Sequence, residues 1–279
     1  MHLVSIGDNV VDRYTSRELM FPGGSALNVA VFAARAGIES SYIGVVGDDD
    51  EGRLICSAAA AEGVDTSQVV TLPGASACTN VSLTDGERSF SGSSKGVSVF
   101  APSSSQLEVV EQAHVVHTGH SSVMEEHLND LAKRTPLSFD FSSRHEDVYL
   151  ERVMPFVQFA HFSASELSQA ETAKLIERAL AFGPKTLLVT KGAEGSYYFE
   201  GGQSWHQRAV PTHVIDTLGA GDTMIATLLA KRGQGLPPAA ALAAAAAAAA
   251  RTCTQLGAFG HGLPLTESSS PSEYAVKYS

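Results

Sequence analysis

The residues best suited to chemistry lie in the run 216–222, Asp-Thr-Leu-Gly-Ala-Gly-Asp, directly before an apolar helix. The pattern predicts that the amides of Ala220, Gly221 and Asp222 point outward at the helix N-terminus. Free amides and the positive end of the helix dipole suit a phosphoryl group. Gly219 and Gly221 remove side chains that would block its approach.

Asp222 would face a hydroxyl beside the same phosphoryl group and accept its proton. Phosphoryl transfer asks a protein chiefly for positioning, charge neutralisation and such a base. The alternative is that Asp222 only caps the helix and the glycines only form a turn.

Two further segments have glycine-rich patterns. Gly23-Gly24 precede a helix that carries Asn28, where a polyol could lie against the backbone and the amide could donate and accept. The turn from Thr190 through Gly192 to Gly195 follows a buried strand. The chain contains no GxxxxGK[ST] sequence, so this turn is not a Walker A loop.

Short apolar strands alternate with helices over most of the chain. The strands expected from about residue 106 onward are 115–118, 137–140, 156–160 and 186–190. This alternation predicts a parallel sheet with helices on both faces, which binds ligands at the carboxyl ends of its strands. Segments 78–100 and 196–208 predict hairpins that could form a small accessory sheet.

Composition excludes several classes of function. The 279 residues carry 30 acidic and 19 basic side chains, a net charge of −11, which argues against nucleic acid or an anionic membrane as the main partner. The three scattered cysteines favour a reducing cytoplasm.

Three histidines resemble a zinc site, but strand alternation places His114 and His117 on opposite faces; His117 or His120 could instead touch substrate.

The run 216–222 resembles the DTxGAGD signature of the ribokinase-like (PfkB) carbohydrate kinases, and the run 23–28 resembles their GGxxxN element. The resemblance covers about residues 1–262. It implies a three-layer αβα sandwich with a mostly parallel central sheet and a small β lid. The kinase domain would span 1–263, with lid strands inserted at about 12–22 and 78–100, and 264–279 would form a C-terminal tail.

The resemblance also implies roles for individual residues. Asp222 would be the catalytic base, Gly219, Ala220 and Gly221 would form the anion hole, and Asp216 would lie near a monovalent-cation site, for which K⁺ is the candidate ion. The residues implied in acceptor binding are Asp8, Asp12, Gly23, Gly24 and Asn28, with Lys95 and Arg144 as further candidates.

The implied cofactors are ATP and Mg²⁺. Thr190, Gly192 and Gly195 would contact the nucleotide, and Gly257 would line the adenine pocket. The family's NxxE element is Ser163-Ala164-Ser165-Glu166 here. Its asparagine is replaced, so Glu166 would act on Mg²⁺ indirectly.

The resemblance is strongest to the fructoselysine 6-kinase branch, which implies fructoselysine as acceptor and fructoselysine 6-phosphate as product. Ribose, fructose, a keto-deoxy sugar acid or a nucleoside are alternative acceptors. A non-catalytic sugar or nucleotide sensor is the alternative from another class, whereas a dinucleotide oxidoreductase is disfavoured because no GxGxxG follows the first strand. Pairing of two chains through the lid is a further expectation.

Overall fold

The computed structural model describes residues 1–84 and 87–265. The strands, in chain order, are β1 (His2–Ile6), β2 (Val10–Tyr14), β3 (Leu19–Gly23), β4 (Glu39–Ile43), β5 (Val45–Gly47), β6 (Val70–Leu72), β7 (Cys78–Thr84), β8 (Glu87–Ser94), β9 (Val115–Gly119), β10 (Leu137–Ser142), β11 (Phe159–Ser163), β12 (Thr186–Thr190), β13 (Ser196–Glu200), β14 (Gln203–Gln207) and β15 (Leu263–Pro264). The α-helices are α1 (Ser25–Arg35), α2 (Asp50–Ala61), α3 (Ser104–Glu111), α4 (Leu128–Arg134), α5 (Asp147–Val153), α6 (Gln169–Ala181), α7 (Ala220–Gly233) and α8 (Pro238–Thr252).

The central sheet has eight strands in the order β14-β13-β12-β11-β10-β9-β1-β4. Neighbours from β4 to β12 pair in parallel, and β13 and β14 add an antiparallel edge. The parallel strands are short apolar runs because both faces of this sheet are covered. The sequence prediction of a mostly parallel α/β sheet is confirmed.

Side chains of adjacent strand residues enter different halves of the core. Leu3 packs in the cluster formed with α1, α2, α7 and α8, whereas Val4 packs in the cluster formed with α3 to α6. This alternation is the period of two that a strand imposes. The molecule therefore has three layers, helices on each side of one sheet, as expected for the αβα sandwich.

The alanine-rich helix α8 packs against α7 through small side chains. Ala241, Leu242, Ala245 and Ala246 are buried, and their spacing of three and four residues forms one helical face. Pro238 stands at the first helical position, where its missing amide hydrogen removes no hydrogen bond. No helix within residues 1–84 and 87–265 combines the length and apolarity that a membrane crossing requires.

A second sheet, here called the lid sheet, has the strand order β15-β3-β2-β7-β8. Strands β2 and β3 pair antiparallel across a short connection, and β7 joins β2 in parallel. The sequence also predicts a turn at 85–86, which lies outside the described residues. Strand β15, which the sequence analysis did not predict, pairs Leu263 with Met20 of β3. The proposed tail thus begins within the lid sheet; residues 266–279 lie outside the described residues.

Two elements differ from the sequence prediction. Strand β11 begins at Phe159 rather than Phe156, because Met154–Phe156 form a 3₁₀ turn with Pro155 inside it. The hairpin β13–β14 extends the central sheet instead of forming an accessory sheet, because β13 pairs with β12. The first difference is a local effect of the turn around Pro155, whereas the second concerns sheet pairing, which local patterns do not encode.

Candidate active site

The loop before α7 brings the predicted phosphoryl-binding residues to the carboxyl edge of the central sheet. Gly219 is the N-cap, with φ 76°, and a Cβ there would lie 2.6 Å from the Ala258 Cβ. A residue with a side chain would therefore clash and be strained. At Gly221 a Cβ would meet no atom of another described segment within 4 Å, so the space beside this residue is open.

One part of the predicted anion hole differs in the structure. The Ala220 amide donates to the Thr217 carbonyl oxygen at 3.2 Å, so it does not point outward freely as the sequence predicted. This amide is hydrogen-bonded within the turn that leads into α7. The N–H groups of Gly221 and Asp222 follow it in the first turn of α7, where helical amides lack partners within the helix.

Asp222 joins α7 to α1 at the centre of the site. Its Oδ1 accepts from the Ser25 hydroxyl at 2.9 Å, and its Oδ2 accepts from the Asn28 amide at 2.8 Å. Burial raises the pKa of Asp222 to about 7; the Asp140 charge adds to this, and the two hydrogen bonds oppose it. A carboxylate with this pKa is suited to accept a proton near neutral pH.

Asp140, which the sequence analysis did not select, faces the same space from the end of β10. Its carboxylate accepts from the Ser142 amide at 2.8 Å and lies 3.5 Å from the Ser25 hydroxyl. Burial raises the pKa of Asp140. The available signal was a carboxylate at the carboxyl end of a predicted parallel strand, where ligands bind.

Asp8 primarily caps helix α1. Its carboxylate accepts from the amides of Ser25 at 2.8 Å and Ala26 at 3.2 Å, and from the Ser122 hydroxyl at 2.7 Å. A carboxylate suits these otherwise unpaired amides at the positive helix end. Asp8 lies beside the acceptor space, but most of its hydrogen-bonding capacity goes to the protein.

Packing explains the glycine pair before α1. A Cβ on Gly23 would lie 2.5 Å from Oδ2 of Asp12, and a Cβ on Gly24 would lie 2.5 Å from the Asn9 Cα, with φ of Gly24 at 110°. The glycines thus bring Asp12 and the α1 N-terminus together. Asn28 is buried, and its Oδ1 has no hydrogen-bond partner among the described residues.

Lys95 and Arg144 lie in different surroundings. Lys95 Nζ donates to the Ser121 carbonyl oxygen at 2.6 Å, next to the Ser122 that contacts Asp8. Arg144 instead pairs with Glu146 at 3.3 Å, and its guanidinium lies 4.9 Å from the centre of the Tyr149 ring. The structure therefore does not bring Arg144 to the cleft, because nearer partners hold it.

A cavity of about 730 Å³ extends from Asp222 along the sheet edge to α8. Thr190, Gly192 and Gly195 line it, as predicted for nucleotide contacts. A Cβ on Gly195 would lie 2.1 Å from the Gln207 carbonyl oxygen, so the turn needs glycine there. Ser163 and Ser165 of the segment that matches the NxxE element also line it, and lining residues that the sequence analysis missed include Arg208, Ala209, Val210, Pro211, Ala246, Ala249 and Ala250.

Glu166 and Gly257 do not line this cavity. Glu166 is exposed on the turn after β11. Gly257 is buried against the Phe21 ring, 2.5 Å from where its Cβ would be, and its amide donates to Asp216 at 3.1 Å. The roles predicted for both stay predictions, and the geometry around Gly257 indicates loop support.

Asp216 is fully buried behind the phosphoryl-binding loop. Its carboxylate accepts from the amides of Leu218 at 3.0 Å and Gly257 at 3.1 Å, and from the Tyr14 hydroxyl. These donors orient the carboxylate relative to the loop. The cation role that the resemblance implied for Asp216 stays a prediction.

The histidines are divided between the sheet and its edge. His117 is fully buried and bonded to the Ser138 hydroxyl at 2.9 Å, and burial lowers its pKa to about 3. It is inside the sheet, so the expectation that it touches substrate is wrong. His120, just past β9, is close enough to Asp140 for its charge to lower the pKa of that carboxyl.

The sequence model of the pfkB family of carbohydrate kinases matches residues 4–264 of this chain. The chain belongs to the pfkB carbohydrate kinase family. It is a phosphotransferase that acts on a sugar hydroxyl. Its glycine-rich loop, Asp222 and the α1 N-terminus lie in one cleft, as the sequence resemblance led us to expect.

Among curated relatives, this pfkB kinase is 39% identical to fructosamine kinase FrlD of Bacillus subtilis over 95% of each chain. It is 38% identical to fructoselysine 6-kinase of Escherichia coli, over 92% of this chain and 99% of the relative.

Solved structures show the same fold. This pfkB kinase matches Arabidopsis thaliana ribokinase, solved with ribose and ATP, with a TM-score of 0.78 and 22% identity over 92% of this chain and 94% of the other. It also matches an Escherichia coli chain described as a ribokinase II, solved with ATP and Mg²⁺, with a TM-score of 0.79 and 21% identity over 92% and 94%. The ribokinase-like fold is thereby confirmed.

Proposed function

We propose that this kinase transfers the γ-phosphoryl group of ATP to the primary 6-hydroxyl of a fructosamine, and specifically converts fructoselysine to fructoselysine 6-phosphate. The observation that carries the mechanism is the junction of Asp222 with Ser25 and Asn28. These contacts bring together the proposed base, the N-terminus of α7 and helix α1, which is proposed to bind the acceptor. The two relatives that act on fructosamines support the choice of acceptor.

Asp222 accepts the proton of the 6-hydroxyl while the hydroxyl oxygen forms its bond to the γ-phosphorus. The bond from phosphorus to the bridging oxygen breaks, ADP leaves, and Asp222 later releases the proton to solvent. The Asn28 and Ser25 hydrogen bonds orient the carboxylate, and the α7 amides stabilise the charge of the transferring group.

Asp12 and the unpartnered Oδ1 of Asn28 are the groups proposed to hold acceptor hydroxyls. Asn28 is buried, so an acceptor hydroxyl that donates to this oxygen would satisfy an otherwise costly polar atom. Asp8 fixes the α1 N-terminus beside them. This division assigns acceptor contact to Asp12 and Asn28 and positioning to Asp8.

ATP is proposed to lie in the cavity along the Thr190–Gly195 turn and α8. The Escherichia coli structure with ATP and Mg²⁺ supports both cofactors. Mg²⁺ would neutralise phosphate charge, with Glu166 reaching it through a bound water, because Mg²⁺ keeps several waters. Asp140 lines the same cavity, whereas Glu166 does not, so Asp140 is a second candidate for a contact to that hydrated ion.

A panel of acceptors in a coupled ADP-release assay tests the proposal. We expect the highest kcat/KM with fructoselysine, lower values with other fructosamines, and much lower values with ribose, fructose, a keto-deoxy sugar acid and a nucleoside. A preference for any of these four would replace the proposed acceptor. Binding of sugar and ATP by calorimetry with no ADP formed from any acceptor would favour a sensor instead.

A further inference from the structure

Tyr14, at the end of lid strand β2, is buried against the phosphoryl-binding loop. Its side chain is 1% exposed, and its ring meets Phe21 edge to face at a centroid distance of 5.3 Å. Leu218 of the loop and Leu256 pack on the same cluster. The hydroxyl of Tyr14 donates to Oδ2 of Asp216, which lies 202 positions further along the chain.

Asp216 organises the loop from inside. One carboxylate oxygen accepts from the Leu218 amide, two residues on, and the other accepts from Gly257. Gly219, the N-cap of α7, follows within the same loop and rests on Ala258. The position of the α7 N-terminus therefore depends on the orientation of the Asp216 carboxylate.

Strand β2 also carries Asp12, two residues before Tyr14. Alternation along a strand places these two side chains on the same face. Asp12 lies against Gly23 at the acceptor side of the site, and Tyr14 reaches the loop. Strand β2 thus carries both Asp12, the carboxylate proposed to bind the acceptor, and Tyr14, which contacts the phosphoryl-binding loop.

We propose that Tyr14 is a positioning residue for phosphoryl transfer: its hydroxyl orients Asp216 and ties the 216–221 loop to the lid strand. The inference rests on the proposed role of this loop in holding the transferring phosphoryl group. A buried carboxylate that loses a donor pays its desolvation cost unless it moves. Without the hydroxyl the loop would therefore shift.

The test begins with Tyr14→Phe, which keeps the ring and its packing. We expect kcat to fall about 10-fold or more, since small misplacements of a catalytic loop are costly, while the Kd of ATP changes little. Asp216→Asn should lower kcat in the same way. If the two residues act through one hydrogen bond, the double variant should be no slower than the slower single variant.

Tyr198→Phe is the matched control, because Tyr198 is also buried and its hydroxyl bonds to the Glu200–Arg232 pair away from the cleft. Hydrogen–deuterium exchange of the peptide covering 214–221 gives a readout that needs no acceptor. Exchange should rise in Tyr14→Phe and stay at the wild-type level in Tyr198→Phe. A rise in both would indicate general destabilisation and overturn the proposal.

A Tyr14→Phe variant with unchanged kcat and exchange would also overturn the proposal. Failure of the proposed function looks different. The wild type would then prefer another acceptor, or Asp222→Asn would stay active, while the exchange result for the 214–221 peptide would still stand.

Discussion

The carboxylate of Asp222 occupies a site that disfavours its charge. Burial and the neighbouring Asp140 raise its pKa to about 7, whereas an aspartate in an unfolded chain titrates near ~3.9. The base is therefore deprotonated only as the pH rises through about 7. The hydrogen bonds from Ser25 and Asn28 partly stabilise the ionised form. The rest of the free-energy cost of burying this charge lowers the stability of the fold.

We expect kcat/KM to fall as the pH is lowered through about 7, because protonated Asp222 cannot accept the hydroxyl proton. A rate profile between pH 5.5 and 9 measures this limb. Asp222→Asn should lower kcat about 10²–10⁴-fold, the usual range for a lost general base. Turnover close to wild type in that variant would contradict the assignment of Asp222.

The same substitution should stabilise the protein. Because the folded-state pKa is raised, the stability that Asp222 contributes is full below its unfolded pKa and is lost as the pH rises through about 7. Asp222→Asn removes this dependence and should gain about 1–3 kcal/mol over wild type at pH 8, with a smaller gain at pH 5.5. Urea unfolding at both pH values measures the difference; equal gains would argue against the raised pKa.

At the scale of elements, helix α1 is positioned by its first residues. The backbone of Gly24 has φ 110° and approaches Asn9 so closely that a Cβ would lie 2.5 Å from the Asn9 Cα. Asp8 then binds the amides of Ser25 and Ala26. The hydroxyl of Ser25 and the amide of Asn28 consequently reach Asp222 from a helix whose start is held on two sides.

We therefore expect Gly24→Ala to destabilise the fold by about 3 kcal/mol or more, since it adds a backbone clash to an unfavourable φ. Gly63→Ala is the control: Gly63 has φ 80°, but a Cβ there meets nothing within 4 Å. It should cost only about 1 kcal/mol. Chemical unfolding measures both, and equal costs would show that the contact with Asn9 is unimportant.

At the scale of the whole molecule, the lid sheet joins strands from the N-terminal and the C-terminal parts of the described chain. Leu263 pairs with Met20 of β3, and the Leu265 amide donates to the Glu18 carbonyl oxygen at 2.8 Å. Strand β3 therefore has partners on both sides, β2 and β15. Whether two chains also pair through this sheet stays a prediction that light scattering can test.

Truncation tests the role of this closure. A chain ending at 265 keeps β15, so it is the reference for a chain that ends at 262. A chain ending at 262 loses the pairing with β3, and we expect a higher KM for the acceptor and a loss of about 1 kcal/mol for the missing hydrogen bonds. Identical behaviour of the two truncated chains would show that β15 does not support the lid.

Much of this molecule follows from local patterns. The apolar strands and the glycine runs at 23–24 and 219–221 predicted the layers and the phosphoryl-binding loop. Contacts between distant segments were not predictable: Asp140 meets Asp222 only after β10 and α7 fold onto one edge. Tyr14 meets Asp216 for the same reason. Arg144 was a candidate for the cleft because the sequence does not show whether its side chain contacts a ligand or its local partners, Glu146 and Tyr149.

The alanine face of α8 has a consequence for nucleotide choice. Ala246, Ala249 and Ala250 contribute methyl groups to one wall of the large cavity. Methyl groups offer shape and dispersion contacts but no donor or acceptor to the edge of a purine. A base resting on this wall would be selected there by its flat outline, so adenine and guanine would be told apart by polar groups elsewhere in the cavity.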